Sequence, residues 1–190
     1  MTRLDLFLAV HKGIRAELFE TVRLVARTDF AERAGAQSAA ARVQRSFCFL
    51  EEHAHHEEQH IFAELRPHAP VLCAELDNEH SRIDGLMLEV VRLLARLDEA
   101  PAAECAGLGR RLHSALGCFV AEYLRHMERE EGETNRRLWA HFSDEQLGGM
   151  QGRIIAAIEP ARLAQWMELI LPELNAPERA RLLSEAGEPA

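Results

Sequence analysis

LEEHAHHEEQHIF, residues 50–62, packs four histidines and four glutamates into a chain otherwise rich in leucine and alanine. Around it apolar residues recur with helical rather than alternating spacing: Val43, Phe49, Leu50, Ala54, Ile61 and Leu65 fall on one side of a helix that must stop before Pro67. At about 100° per residue, His53 and Glu57 stand one turn apart on that same side, so both point into the protein. An ionised carboxylate buried among hydrocarbon costs several kcal/mol unless it is paired. A cation is the compensating partner that a histidine and a glutamate at i and i+4 would offer a nitrogen and an oxygen to.

Outward from that helix the whole chain reads as all-α. Leu4, Phe7, Leu8, His11, Leu18, Val22 and Val25 line one side of a first helix that loses its pattern at Thr28 and Asp29, and DFAERAGAQS, residues 29–38, reads as a loop. After Pro67, Pro70 opens a third helix through Leu76, Ile83, Leu86, Val90 and Leu94 to about Leu97. A fourth runs from about Glu104 to Phe142, its first half weakened by Gly107, Gly109 and Gly117 at about 1 kcal/mol each against alanine. Four long helices with short links predict an up-and-down antiparallel four-helix bundle over residues 1–142.

Residues 143–190 form an appendage of further helices. SDEQ, Ser143 to Gln146, is a capping-box start, Pro160 and Pro172 are boundaries, and Asn175 can cap a last short helix. Ile154, Ile155, Ile158, Leu163, Trp166, Leu169, Ile170, Leu182 and Leu183 need cover there, either on the outside of the bundle or at a homodimer contact.

Composition removes several function classes. A formal charge of −9 without a basic stripe argues against nucleic acid. No window approaches a membrane span, and the apolar run near the N-terminus is broken too early by His11, Lys12 and Arg15 for a signal peptide, so a cytoplasmic protein without a membrane partner is expected. Cys48, Cys73, Cys105 and Cys118 form no CxxC pair and read as reduced helix residues.

The helix-two pattern recurs. In FVAEYLRHMEREE, His126 and Glu130 are again i and i+4, on the face of Phe119, Val120, Tyr123 and Met127. His11 lies at the centre of the apolar face of helix one, and His80 lies near the edge of that of helix three. Measured as helix rise from the turns, His11, His53 and His80 fall at one end of the bundle, and His126 fits that depth more loosely. One histidine on an apolar face is usually a core residue; four, two of them followed by glutamate, point to a shared metal site.

These residues resemble the hemerythrin-like family, the HHE cation-binding domain, from about Leu4 to Phe142: His11; His53 and Glu57 with Glu58, Ile61 and Phe62; Glu79 and His80; His126 and Glu130. The resemblance implies two non-haem iron ions bridged by Glu57 and Glu130, with histidines as terminal ligands. Imidazole and carboxylate without nearby thiolate suit iron, and zinc is the possible substitute. Oxygen-carrying members have five histidines; here Asp84 stands where the second of helix three would be, and His60, two turns after His53, is the candidate replacement. A register using His56 and His60 is the alternative for helix two. Arg15 either hydrogen-bonds a bridging carboxylate or reaches out to solvent. Tyr123 either meets bound ligand or simply packs. The function expected is binding or sensing of O₂, NO or peroxide, with enzymatic turnover left open. The alternatives are a non-catalytic helical interaction module, and a zinc- or iron-dependent metalloenzyme or a protein of iron homeostasis and stress repair.

Overall fold

A computed structural model describes the backbone of residues 3–187 and the side chains of residues 3–183. Helix α1 spans Leu8–Arg27 and α2 spans Arg33–Glu57; α2 runs through a π-helical segment, Glu58–Phe62, into a short α3, Ala63–Leu65. Helix α4 is Pro70–Glu99. Helix α5, Ala102–Arg129, likewise passes through a π-helical segment, Glu130–Thr134, into α6, Asn135–His141. Short connections reverse the chain each time, and α1, α2, α4 and α5 each pack against two of the others. The result is the expected four-helix bundle, and no strand occurs among the described residues.

Local chemistry explains most of the boundaries. Asp5 Oδ1 accepts from the backbone N–H groups of Phe7 and Leu8 at 2.9 and 3.0 Å, so α1 begins at Leu8 and leaves Leu4 in the segment before it. Helix α2 starts earlier than its apolar pattern does. Arg33 to Ser38, expected in the loop, are helical, because the alanine-rich stretch favours helix while offering only small apolar side chains.

Gly109 is where the fourth helix receives Phe30. A β-carbon at that position would lie 2.2 Å from the Phe30 ring. The glycine that weakens the helix locally is what lets the ring of the α1–α2 connection reach the core.

The remaining helices are α7, Asp144–Ala157, α8, Pro160–Ile170, and α9, Ala176–Gly187, with a 3-10 turn at Leu171–Glu173. The Ser143 hydroxyl accepts from the Gln146 N–H, and the Gln146 side chain accepts from the Ser143 N–H, completing the expected capping box. Asn175 and Glu178 exchange the same pair of bonds ahead of α9. Residues 188–190 of the expected appendage lie outside the described residues.

The apolar residues of these helices find partial cover within the chain, and Ile154, Ile155, Ile158 and Leu163 stay half-buried. Trp166, Leu169, Ile170 and Leu174 are buried in the main core cluster, while Leu147 and Met150 join a second one. Leu182 is half-buried and Leu183 is exposed. Helix α8 sits so close on α1 that a β-carbon at Gly13 would meet the Leu169 carbonyl oxygen at 3.0 Å. Polar clips hold the same surfaces: Arg162 Nε and Trp166 Nε1 both donate to Glu52 on α2, and Lys12 Nζ donates to Glu178 at 2.7 Å.

The two apolar clusters lie on either side of a polar layer. Phe7, Ile61, Leu76 and Leu138 belong to the smaller cluster, and Ile14, Leu50, Ile83 and Met127 to the larger. Between each pair, along its own helix, stand His11, then His53 with Glu57, then His80, and, beside Met127, His126 with Glu130.

Candidate metal centre

Two groups of four side chains converge in that layer. His11, His53, Glu57 and Glu130 form one, and Glu57, His80, His126 and Glu130 the other; within each, one ligand atom per residue lies within 4.8 Å of the rest. Glu57 and Glu130 belong to both groups. Six of the seven residues expected from sequence are thereby brought together, and all except the half-buried His80 are buried.

Spacing along the helix explains the pairs. His53 Nε2 lies 3.0 Å from Glu57 Oε1, and His126 Nε2 lies 3.0 Å from Glu130 Oε1, each one turn on. Between helices, His11 Nε2 approaches His53 Nε2 at 3.0 Å and Glu130 Oε2 at 3.4 Å. The His80 and His126 rings meet edge-on with centroids 4.5 Å apart.

A second shell fixes which nitrogen faces inward. His11 Nδ1 donates to Glu131 Oε1 at 2.8 Å, and Arg15 donates to that oxygen at 2.6 Å. On the opposite side His126 Nδ1 donates to Glu79 Oε2 at 2.9 Å, and Arg129 donates to Glu79 Oε1 at 2.6 Å while also pairing with Glu75 and Glu133. Because an ionised carboxylate only accepts, both imidazoles carry their proton on Nδ1 and turn Nε2 to the centre. Arg15 therefore acts on Glu131 rather than on Glu57 or Glu130.

The electrostatics follow from that wiring. Burial disfavours the charged form of His11, but the hydrogen bond to Glu131 and the nearby Glu57 and Glu130 carboxylates outweigh it and raise its pKa to about 9. His126 is likewise raised to about 9: burial opposes, and Glu130, Glu57 and Glu79 prevail. Glu57 stays well below the usual carboxylate range, because His53 and His11 overcome the cost of its burial. Glu131 is lowered to about 2 against its own partial burial, chiefly by His11 and Arg15.

The satisfaction of these atoms is incomplete. Glu57 Oε1, Glu130 Oε1 and Oε2, and His126 Nε2 are buried without a hydrogen-bond partner of adequate geometry, even where a nitrogen and an oxygen stand 3.0 Å apart. Four such atoms converge on one layer, where the neighbouring imidazole and carboxylate charges offset their burial without giving them well-directed hydrogen bonds. Cations between them would supply the missing partners. Nitrogen and oxygen donors without sulfur suit iron, and also zinc or manganese.

His60 is not among the residues brought together. It lies in the first π-helical segment, half-buried and stacked on His56 with centroids 6.1 Å apart. There the Ala63 N–H donates to the Glu58 carbonyl five residues back, and this wider turn rotates His60 away from the line of His53 and Glu57 that an unbroken α-helix would give it. The structure turns His53 and Glu57 inward, so the His56 and His60 register is not the one adopted. Asp84 is exposed. Tyr123 is buried with its ring centroid 6.2 Å from that of His126, and burial together with Glu57 and Glu130 pushes its pKa well above the ordinary value.

Glu131 and Arg129 are residues of the site that sequence reasoning missed, and Glu79 carries the hydrogen bond to His126 as well as its place beside His80 in the family motif. Their signal was weak: all three sit in runs of charge that read as solvated helix surface.

Among the described residues no helix is long and apolar enough to cross a membrane. No curated protein sequence matches the chain. The family model for the hemerythrin HHE cation binding domain matches residues 2–138, which spans all four bundle helices and every residue of both ligand groups. The chain belongs to the hemerythrin HHE cation-binding family.

Proposed function

We propose that the protein holds two non-haem iron ions in the polar layer and binds or senses a small ligand, O₂, NO or peroxide, at that pair. The observation that carries the reading is the sharing of Glu57 and Glu130 between two histidine pairs, His11 with His53 and His80 with His126. A carboxylate common to two donor sets could give one oxygen to each ion, and Glu57 and Glu130, on different helices, would be the residues to do so.

Bound iron would supply an open coordination position and a change of oxidation state. The chain's own residues do the rest. Glu131 and Glu79 hold His11 and His126 in the tautomer that presents Nε2, and Arg15 and Arg129 keep both carboxylates in place. Phe7 and Phe62 on one side, with Leu50 and Met127 on the other, keep bulk water from the layer. With two histidines on each side, the donor set is leaner than the five-histidine set of the oxygen carriers. Coordination left free favours reaction or signalling over clean reversible carriage.

The test is elemental analysis of purified protein together with optical spectra of the reduced protein under argon, air and NO. About two iron ions per chain and spectra that respond to the gases are expected. Zinc in their place, or no stoichiometric metal, would sink the proposal.

A further inference from the structure

The two halves of the centre face different surroundings. Behind His126 lies a charged cleft whose lining includes Glu79, Arg129 and Glu133. Next to His53 and Glu57 lies a chamber of about 120 Å³, open to solvent on one side, whose walls are mostly hydrocarbon with His56 and Gln151 as further polar members. Val10 of α1 forms one wall, Ile155 of α7 another, and Leu163 and Trp166 of α8 the third, with His53 and Glu57 exposed to its interior. Among the described residues no lysine or arginine lines it.

Most of these walls come from outside the matched family region. Ile155, Leu163 and Trp166 lie beyond residue 138 and belong to helices that pack over the α1 and α2 side of the bundle. The bundle itself supplies the floor. The appendage holds its position through the close approach at Gly13 and the bonds from Arg162 and Trp166 to Glu52. Ile155 and Leu163 are half-buried, so the chamber reaches solvent at their rim, whereas Trp166, His53 and Glu57 at its depth are buried.

We propose that this chamber, built by the C-terminal helices, is a binding site for one small, neutral, apolar molecule, through which such a molecule reaches the Glu57 and His53 side of the centre. Three features select that class. Apolar pockets of this order of size favour apolar occupants such as xenon over water, which finds few partners on their walls. An anion entering from this side would meet the Glu57 carboxylate with no lysine or arginine in the lining to offset it. A larger molecule exceeds the volume. The delivery step rests on the metal reading above; occupation of the chamber does not.

Xenon is the probe for the chamber, applied under pressure to crystals of the metal-free and the metal-loaded full-length protein. Bound xenon is expected between Val10, Ile155 and Trp166 in both forms and is expected to be absent in Ile155→Trp and Leu163→Trp, two separate fillings of the space. No xenon there in the unmodified protein overturns the binding site. Delivery is read by stopped-flow capture of NO by the reduced, metal-loaded protein. Each filled variant that keeps its metal content and helical circular dichroism should capture NO roughly tenfold more slowly or worse, because a close-packed plug leaves no standing path. Azide binding to the oxidised protein should stay unchanged. An unaltered NO rate in a variant that has lost its xenon overturns delivery through this route. A protein that takes up no metal defeats the functional reading instead, and xenon still decides whether the chamber is a site.

Discussion

Glu57 and Glu130 each stand one turn after an inward histidine and each falls in both candidate groups, so on the proposed two-ion reading their loss should act on both ions at once. Glu57→Ala and Glu130→Ala are expected to lower the metal content from two ions per chain to one or none, measured by elemental analysis. By contrast, His60→Ala should leave the content unchanged while His53→Ala reduces it. The proton inventory gives an independent check. His11 and His126 are raised from 6.5 to about 9 in the metal-free fold, so their protonation stabilises that fold fully below pH 6.5, and this contribution is lost as the pH rises through about 9. Metal needs the same nitrogens deprotonated. Uptake should therefore release protons, and apparent affinity should climb across that window, which calorimetry in buffers of different ionisation enthalpy would report. The candidate ligands His53, Glu57, His126 and Glu130 are legible in the sequence because a buried charge at helical spacing is a local pattern. Glu131, Glu79 and Arg129 are not, since a charged residue among charged residues carries no mark of the partner it will meet.

At the scale of elements, the four bundle helices follow from periodicity, and their details do not. Gly109 and Gly117 look alike in sequence. The first receives the Phe30 ring, and the second has nothing within 4 Å of an added β-carbon. Gly117→Ala should thus stabilise the protein by about 1 kcal/mol through helix propensity. Gly109→Ala should destabilise it by roughly 1–3 kcal/mol through overpacking, despite the same propensity gain. Urea unfolding of the two variants would show the opposite signs. The π-helical segments are the other feature that periodicity hides. Each follows an HxxxE pair and admits one more residue to the turn, so Ile61 and Phe62 both face inward, as do Thr134 and Asn135. A one-residue widening leaves composition untouched, which is why His60 could be placed on the ligand face from sequence and lies off it in the fold.

For the molecule as a whole, the polar layer divides the core, and metal in that layer would join its two parts. A ligand that binds only the folded chain adds about 2.7 kcal/mol at a free concentration one hundred times its dissociation constant. In a chain of this size each kcal/mol is worth roughly 2–4 °C. Chelation should accordingly lower the melting temperature by about 5–10 °C, and readdition of iron should restore it, as followed by circular dichroism. The sequence by itself determined the all-α bundle, the inward His53, Glu57, His126 and Glu130, the capping box before α7 and the Asn175 cap of α9, because helix periodicity, proline stops and caps act over a few residues. Only the tertiary structure decided which side chains share the layer, that Arg15 serves Glu131, that His60 stands aside, and that α7 and α8 wall a chamber against His53 and Glu57. Those outcomes depend on helix rotation, on the widened turn after Glu57 and on contacts between residues far apart in the chain, such as Arg162 with Glu52, and no pattern of residue types marks them.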